Sequence, residues 1–76
     1  MQKIINKKLY DTESASLIKR YTNGYYGTPD GYEESLYQTK DGFYFLYVNG
    51  GPQSPYPKED IIRIGKAKVQ NWIDSH

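Results

Sequence analysis

Catalysis and ligand binding need a proton carrier, a nucleophile, a metal ligand set or an anion cradle, and this chain supplies few of them. Its one histidine is His76, the last residue, where a fraying end does not hold a general base in register. Cysteine is absent, which excludes a disulfide framework and a thiolate metal site. Glu33 and Glu34 are adjacent, so on a strand their carboxylates point to opposite faces and cannot act as a facing acid and base. Gly50-Gly51 has the glycines of a phosphate loop, but Pro52 removes a backbone donor and no Lys-Ser/Thr pair follows. These residues predict no catalytic group, no cofactor and no metal, hence a protein that is not an enzyme.

Binding is better supplied. Tyr25, Tyr26 and Tyr32 lie among Gly, Thr, Pro and Asp30, a composition that gives stiff contact area at low entropic cost. All the aromatics except Tyr10 and Trp72 fall between Tyr21 and Tyr56, where Lys40 is the only cation against Asp30, Glu33, Glu34 and Asp41. Rings beside carboxylates suit a basic protein surface better than a phosphate backbone. The opposite charge gathers at the start, with Lys3, Lys7, Lys8, Lys19 and Arg20 against Asp11 and Glu13. The same segregation also arises when each element simply keeps a solvated face.

The elements that must position these residues fit one domain, residues 1–76. Leu, Ile, Val and Phe make up only about a fifth of the chain, near the disordered range. A net charge of +1 is too small to hold it open, and nine Tyr with one Trp add the missing burial area. No apolar run approaches the roughly 20 residues of a membrane span, and the first ten residues lack a signal-peptide core. The reading is therefore a protein without membrane contact; the lack of cysteine fits a reducing cytoplasm.

Asp41-Gly42 between two β-rich runs predicts a hairpin over residues 34–48. Of two registers, a three-residue loop with Gly42 in a bulge pairs Leu36 with Leu46 and puts Val48 on their face. Tyr37, Phe43, Phe45 and Tyr47 then occupy the other face, which must be covered or stay exposed. Residues 9–21 read as a second hairpin closed by the polar turn 11–14, although a helix from Asp11 or Thr12 fits the same letters. Ile61–Ile64 is a short strand, and Val69, Trp72 and Ile73 mark a one-sided helix over Lys66–Ser75 that must dock on the Leu36/Leu46/Val48 face. The expected fold is α+β: a small antiparallel sheet of four to five strands, two hairpins plus a short strand, with one C-terminal helix packed on one face.

The order Leu9-Tyr10-Asp11-Thr12-Glu13-Ser14-Ala15, then Tyr32-Glu33-Glu34-Ser35-Leu36-Tyr37-Gln38-Thr39-Lys40, Tyr44 to Tyr47, Gly50-Gly51, Ile61-Ile62 and Ala67 to Trp72, resembles a group of short proteins of phages, prophages and other mobile elements of bacteria. The resemblance runs from Ile5 to Trp72. It implies a role in countering host defences, of the anti-CRISPR type, by occupying the surface of a host machine in the bacterial cytoplasm. The pattern of the group carries a longer glycine-rich insertion before the Ile-Ile strand; here that stretch is short and proline-rich.

Three readings follow. The first is a protein-binding module, a mobile-element inhibitor of a host protein or protein–nucleic acid complex. It would bind through Tyr25, Tyr26, Asp30, Tyr32, Glu33 and the hairpin rings Tyr37, Phe43, Phe45 and Tyr47. The second is a nucleic-acid binder using Lys3, Lys7, Lys8, Lys19 and Arg20 with stacking aromatics. The third is a domain that self-associates as a homodimer through an open strand edge. The first is preferred because rings and cations lie in different stretches of chain.

Overall fold

The computed structural model describes residues 1–24 and 29–76. Among these, the chain runs β1 (Gln2–Ile5), β2 (Lys8–Asp11), β3 (Ser16–Asn23), β4 (Tyr32–Gln38), β5 (Tyr44–Gly50), β6 (Asp60–Ile64) and α1 (Lys66–Ser75). Strands β3 to β6 form an antiparallel sheet in sequence order, and β1–β2 form a separate two-stranded sheet. The protein is an α+β domain with one C-terminal helix, as the residue pattern predicts.

The β4–β5 hairpin closes as the bulged register requires. Thr39 and Phe43 pair across the turn, and the Gly42 amide donates to the Thr39 carbonyl at 3.0 Å. Gly42 sits at φ +89°, a conformation that L side chains rarely adopt. Leu36 faces Leu46, so strand alternation puts Leu36, Leu46 and Val48 on one face. Val69 and Trp72 of α1 cover that face and complete a buried cluster with them. Trp72 is therefore a core residue, stacked into the sheet by helical spacing.

The opposite face differs from the open surface that the sequence leaves available. Tyr10 of β2 packs there against Phe45 and Ile61, with Ile5, Ala15, Tyr37 and Tyr47 around them. Phe45 is 0% exposed. Its ring meets Tyr10 edge-on at 5.6 Å and lies parallel to Tyr37 at 5.3 Å. The four-stranded sheet is thus covered by α1 on one side and by the β1–β2 hairpin on the other.

That cover depends on a turn the residue types conceal. The first hairpin turns at Asn6-Lys7, both at positive φ (51° and 66°), and β2 pairs back onto β1. Two positive φ angles define the primed turn that matches strand twist, but lysine rarely occupies its second position. The segment after Asp11 consequently does not fold β2 onto β3. Residues 16–23 form a strand, not a helix, and pair with β4 instead, with a bulge between Leu17 and Lys19.

The proline-rich stretch after β5 lies against the start of β4. Gly51 N–H donates to the Gly31 carbonyl at 2.9 Å and Gln53 N–H to the Pro29 carbonyl at 2.8 Å. A side chain at Gly50 would collide with Ser54 Oγ and crowd Tyr32 and the Gly31 carbonyl, so only glycine permits this approach.

Candidate functional site

Among the described residues, those predicted to bind a protein do not form one surface. Tyr25 and Tyr26 lie outside the described residues. Asp30 is exposed, Tyr32 is half-buried, and Glu33 is bound by Arg20 at 2.7 Å. Phe45 is sealed in the core and Tyr37 stacks on it, which removes Phe45 from direct contact with a partner. Tyr47 is half-buried and donates to Glu59 Oε2 at 2.8 Å; burial first, then that bond, pushes its phenol up to about 12. Phe43 alone among the hairpin rings stays substantially exposed, at 47%, with the Lys8 ammonium 3.4 Å from its ring centroid.

The predicted cations are also dispersed. Lys3 Nζ bonds Asp60 Oδ1 at 2.7 Å and fastens β1 to β6. This bond, followed by the Ile61 amide donating to the same carboxylate, holds the Asp60 carboxyl below the usual range. Lys7 occupies the β1–β2 turn, and Lys19 Nζ donates to the Ile73 carbonyl at 3.0 Å. Lys19 and Arg20 thus sit on β3, Arg20 pairing at the surface with Glu33, while Lys3, Lys7 and Lys8 belong to the β1–β2 hairpin.

The densest polar constellation gathers on Glu34. Strand alternation turns this residue toward α1, where it is buried while Glu33 faces away. Tyr56, delivered by the proline-rich stretch, donates to Glu34 Oε2 at 2.9 Å; burial and this bond push its phenol up to about 12. His76 Nε2 meets Glu34 Oε1 at 2.8 Å, and its Nδ1 lies 2.7 Å from the Trp72 carbonyl oxygen. Both ring nitrogens thus face oxygens, which holds the imidazole from two sides. The imidazole also lies nearly parallel to Trp72 at 4.6 Å and edge-on to Tyr21 at the same separation. Tyr32 stands beside Tyr21 and Tyr56, with its phenol raised by burial first and then by Tyr21 and Glu34.

The expectation that His76 frays is therefore corrected. Its direction was legible: His76 caps the C-terminal end of α1, and the spacing 69, 72, 73 and 76 carries the buried stripe one residue past the helix. The site has an acid and a histidine in contact, but each ring nitrogen is already engaged. Its chemistry is that of a clasp joining the end of α1, β4 and the loop that carries Tyr56.

Exposed apolar area collects at the beginning of the chain. Ile4 and Leu9 are opposed across β1–β2 and are 71% and 50% exposed. Lys3, Ile5, Lys8 and Tyr10 occupy the other side of the same hairpin, toward the sheet. Leu17 and Ile18, at the bulge of edge strand β3, are also exposed. Among the described residues no group of acids and histidines could hold a metal, and no helix is long and apolar enough to cross a membrane. No protein-family model, curated protein or solved structure matches the chain.

Proposed function

We propose that the chain is a non-enzymatic module that binds another protein through the outer face of the β1–β2 hairpin. The observation that carries this reading is the cross-strand pair Ile4–Leu9, held outward while the inner face of the same hairpin is packed on the core. An apolar pair on a hairpin already anchored by Tyr10 and Lys3–Asp60 presents preformed contact area with little left to order on binding. The resemblance of residues 5–72 to short mobile-element proteins makes the partner a host protein, bound by surface occupation in the bacterial cytoplasm. The anti-defence role belongs to this proposal. The docking surface differs from the acidic aromatic one of the sequence reading because Phe45 is buried and Glu33 is bound to Arg20.

The test is capture from nuclease-treated bacterial lysate by the immobilised chain and by its Ile4→Ser/Leu9→Ser variant. Both substitutions face outward, so circular dichroism of the variant is expected to match the parent. A protein retained by the parent and lost by the variant supports the reading. Equal retention by both refutes the face. Sedimentation of the purified chain addresses self-association: a dimer dissolved by the same substitutions would replace the host partner with a second copy.

A further inference from the structure

A cleft of about 420 Å³ lies where the β1–β2 turn, the β4–β5 turn and the β6–α1 junction meet. Lys8, Arg63 and Lys66 line it together with Tyr10, Phe43 and Tyr44, and no carboxylate is among its lining residues. Lys8 pairs with Asp41, 3.9 Å away and largely exposed, a pairing that water screens heavily. Among the described residues Arg63 and Lys66 take part in no ion pair. Three cations around one concavity, of which only Lys8 has an acid within reach, concentrate positive potential inside it.

The local backbone adds the same sign. Helix α1 begins at Lys66 behind Gly65, which provides no side-chain cap, and its first turn contains no acid. Of the first-turn amides Lys68 donates to the Gly65 carbonyl at 2.9 Å, while those of Lys66 and Ala67 have no acceptor within the helix, so the corner formed by Gly65 and Lys66 is electropositive. Phe43, 47% exposed, lines the same cleft, with the Lys8 ammonium over one face of its ring. An inorganic anion would use the cations and leave the ring bare. A ligand with both a phosphate and a flat heterocycle uses the whole wall, and the volume falls within the usual range for small-ligand sites.

We infer that this cleft binds the phosphate of a nucleotide, free or within a single strand, with Arg63 and Lys66 on the phosphate and the base against Phe43. Arginine offers a fork of donors matched to phosphate oxygens, and Lys66 adds a mobile point charge. The cleft lies on the sheet side of the β1–β2 hairpin, away from Ile4 and Leu9. It does not depend on the protein-binding reading, and either can fail alone.

The experiment is a titration of the isotopically labelled full chain at low salt, followed by amide chemical shifts. The probes are adenosine 5′-monophosphate, adenosine, inorganic phosphate and a short oligothymidylate. Movement of the Lys8, Phe43, Arg63 and Lys66 amides by the monophosphate supports a free nucleotide, and movement by the oligonucleotide supports a strand. Arg63→Gln and Lys66→Gln, both at exposed positions, are each expected to weaken binding about tenfold. Phe43→Ala should weaken the nucleotide probes while leaving inorganic phosphate unchanged. No shift at these amides with any probe overturns the inference. Inorganic phosphate or adenosine binding as tightly as the monophosphate and the oligonucleotide, or affinities indifferent to all three substitutions, does the same.

Discussion

Replacing His76 by alanine examines the clasp at its most exposed end. The substitution removes a charge-assisted hydrogen bond to buried Glu34, worth about 1.5–3 kcal/mol in such settings. It also removes ring contacts to Trp72 and Tyr21, each worth about 0.5–1.5 kcal/mol. The contacts share atoms and are not additive, so the expected loss is about 2–4 kcal/mol. A chain of 76 residues holds about 4–11 kcal/mol in all, at the usual yield per residue. The midpoint of thermal unfolding should therefore fall by about 10–25 °C. Trp72 is the only tryptophan and lies against the imidazole, so its fluorescence during urea unfolding reports the effect directly. His76→Phe separates the two contributions: it retains the stack but not the donors, and should lose about 1.5–3 kcal/mol. A loss below about 0.5 kcal/mol for His76→Ala would place it among ordinary surface changes and refute the clasp.

Four further outcomes are expected. Phe45→Ala should cost about 3–5 kcal/mol and bring the protein close to unfolding at room temperature, whereas Phe43→Ala should stay within about 0.5 kcal/mol; equal effects in chemical denaturation would contradict the covered hairpin face. At the turns the signs are opposite: Gly42→Ala should destabilise by about 1–2 kcal/mol through its positive φ, while Lys7→Gly should stabilise by about 0.5–1 kcal/mol, the relieved strain less the glycine entropy, both read as shifts in the urea midpoint. The phenols of Tyr47 and Tyr56, raised to about 12, favour the neutral native state, so their contribution is whole below about pH 10 and is lost as pH rises through 12; tyrosinate absorbance should rise together with unfolding. Asp60 has the reverse sign. Its lowered value stabilises above the unfolded value of about 3.9 and is lost as pH falls below that through the folded value, a loss that Lys3→Ala should largely abolish.

The bound His76 and the covered Phe45 change what the polar and aromatic residues of this chain are for. Rings that composition alone offers to a partner are largely spent on a core short of aliphatic residues, with Tyr10, Phe45, Tyr37 and Tyr47 on one face and Tyr21, Tyr44 and Tyr56 around the other. The surface left over is aliphatic at Ile4 and Leu9 and basic at Arg63 and Lys66. Neither patch stands out in the sequence, because each is made of ordinary residue types that become notable only when neighbouring side chains are committed elsewhere.

What the amino-acid order determined by itself is local. Asp41-Gly42 specifies the β4–β5 register because a glycine at positive φ and strand alternation act within a few residues, and the Val69/Trp72 spacing specifies the buried side of α1 in the same way. The strand state of residues 16–23 and the pairing of β2 with β1 depended on competition between segments, which the Asn6-Lys7 turn settled against the signal of its own residue types. Only the tertiary structure decided which sheet face was covered, that Tyr56 and His76 would meet Glu34, and that Lys8, Arg63 and Lys66 would share one cleft. The physical reason is that these contacts join segments far apart along the chain. Their geometry follows from packing the whole domain, which no local preference encodes.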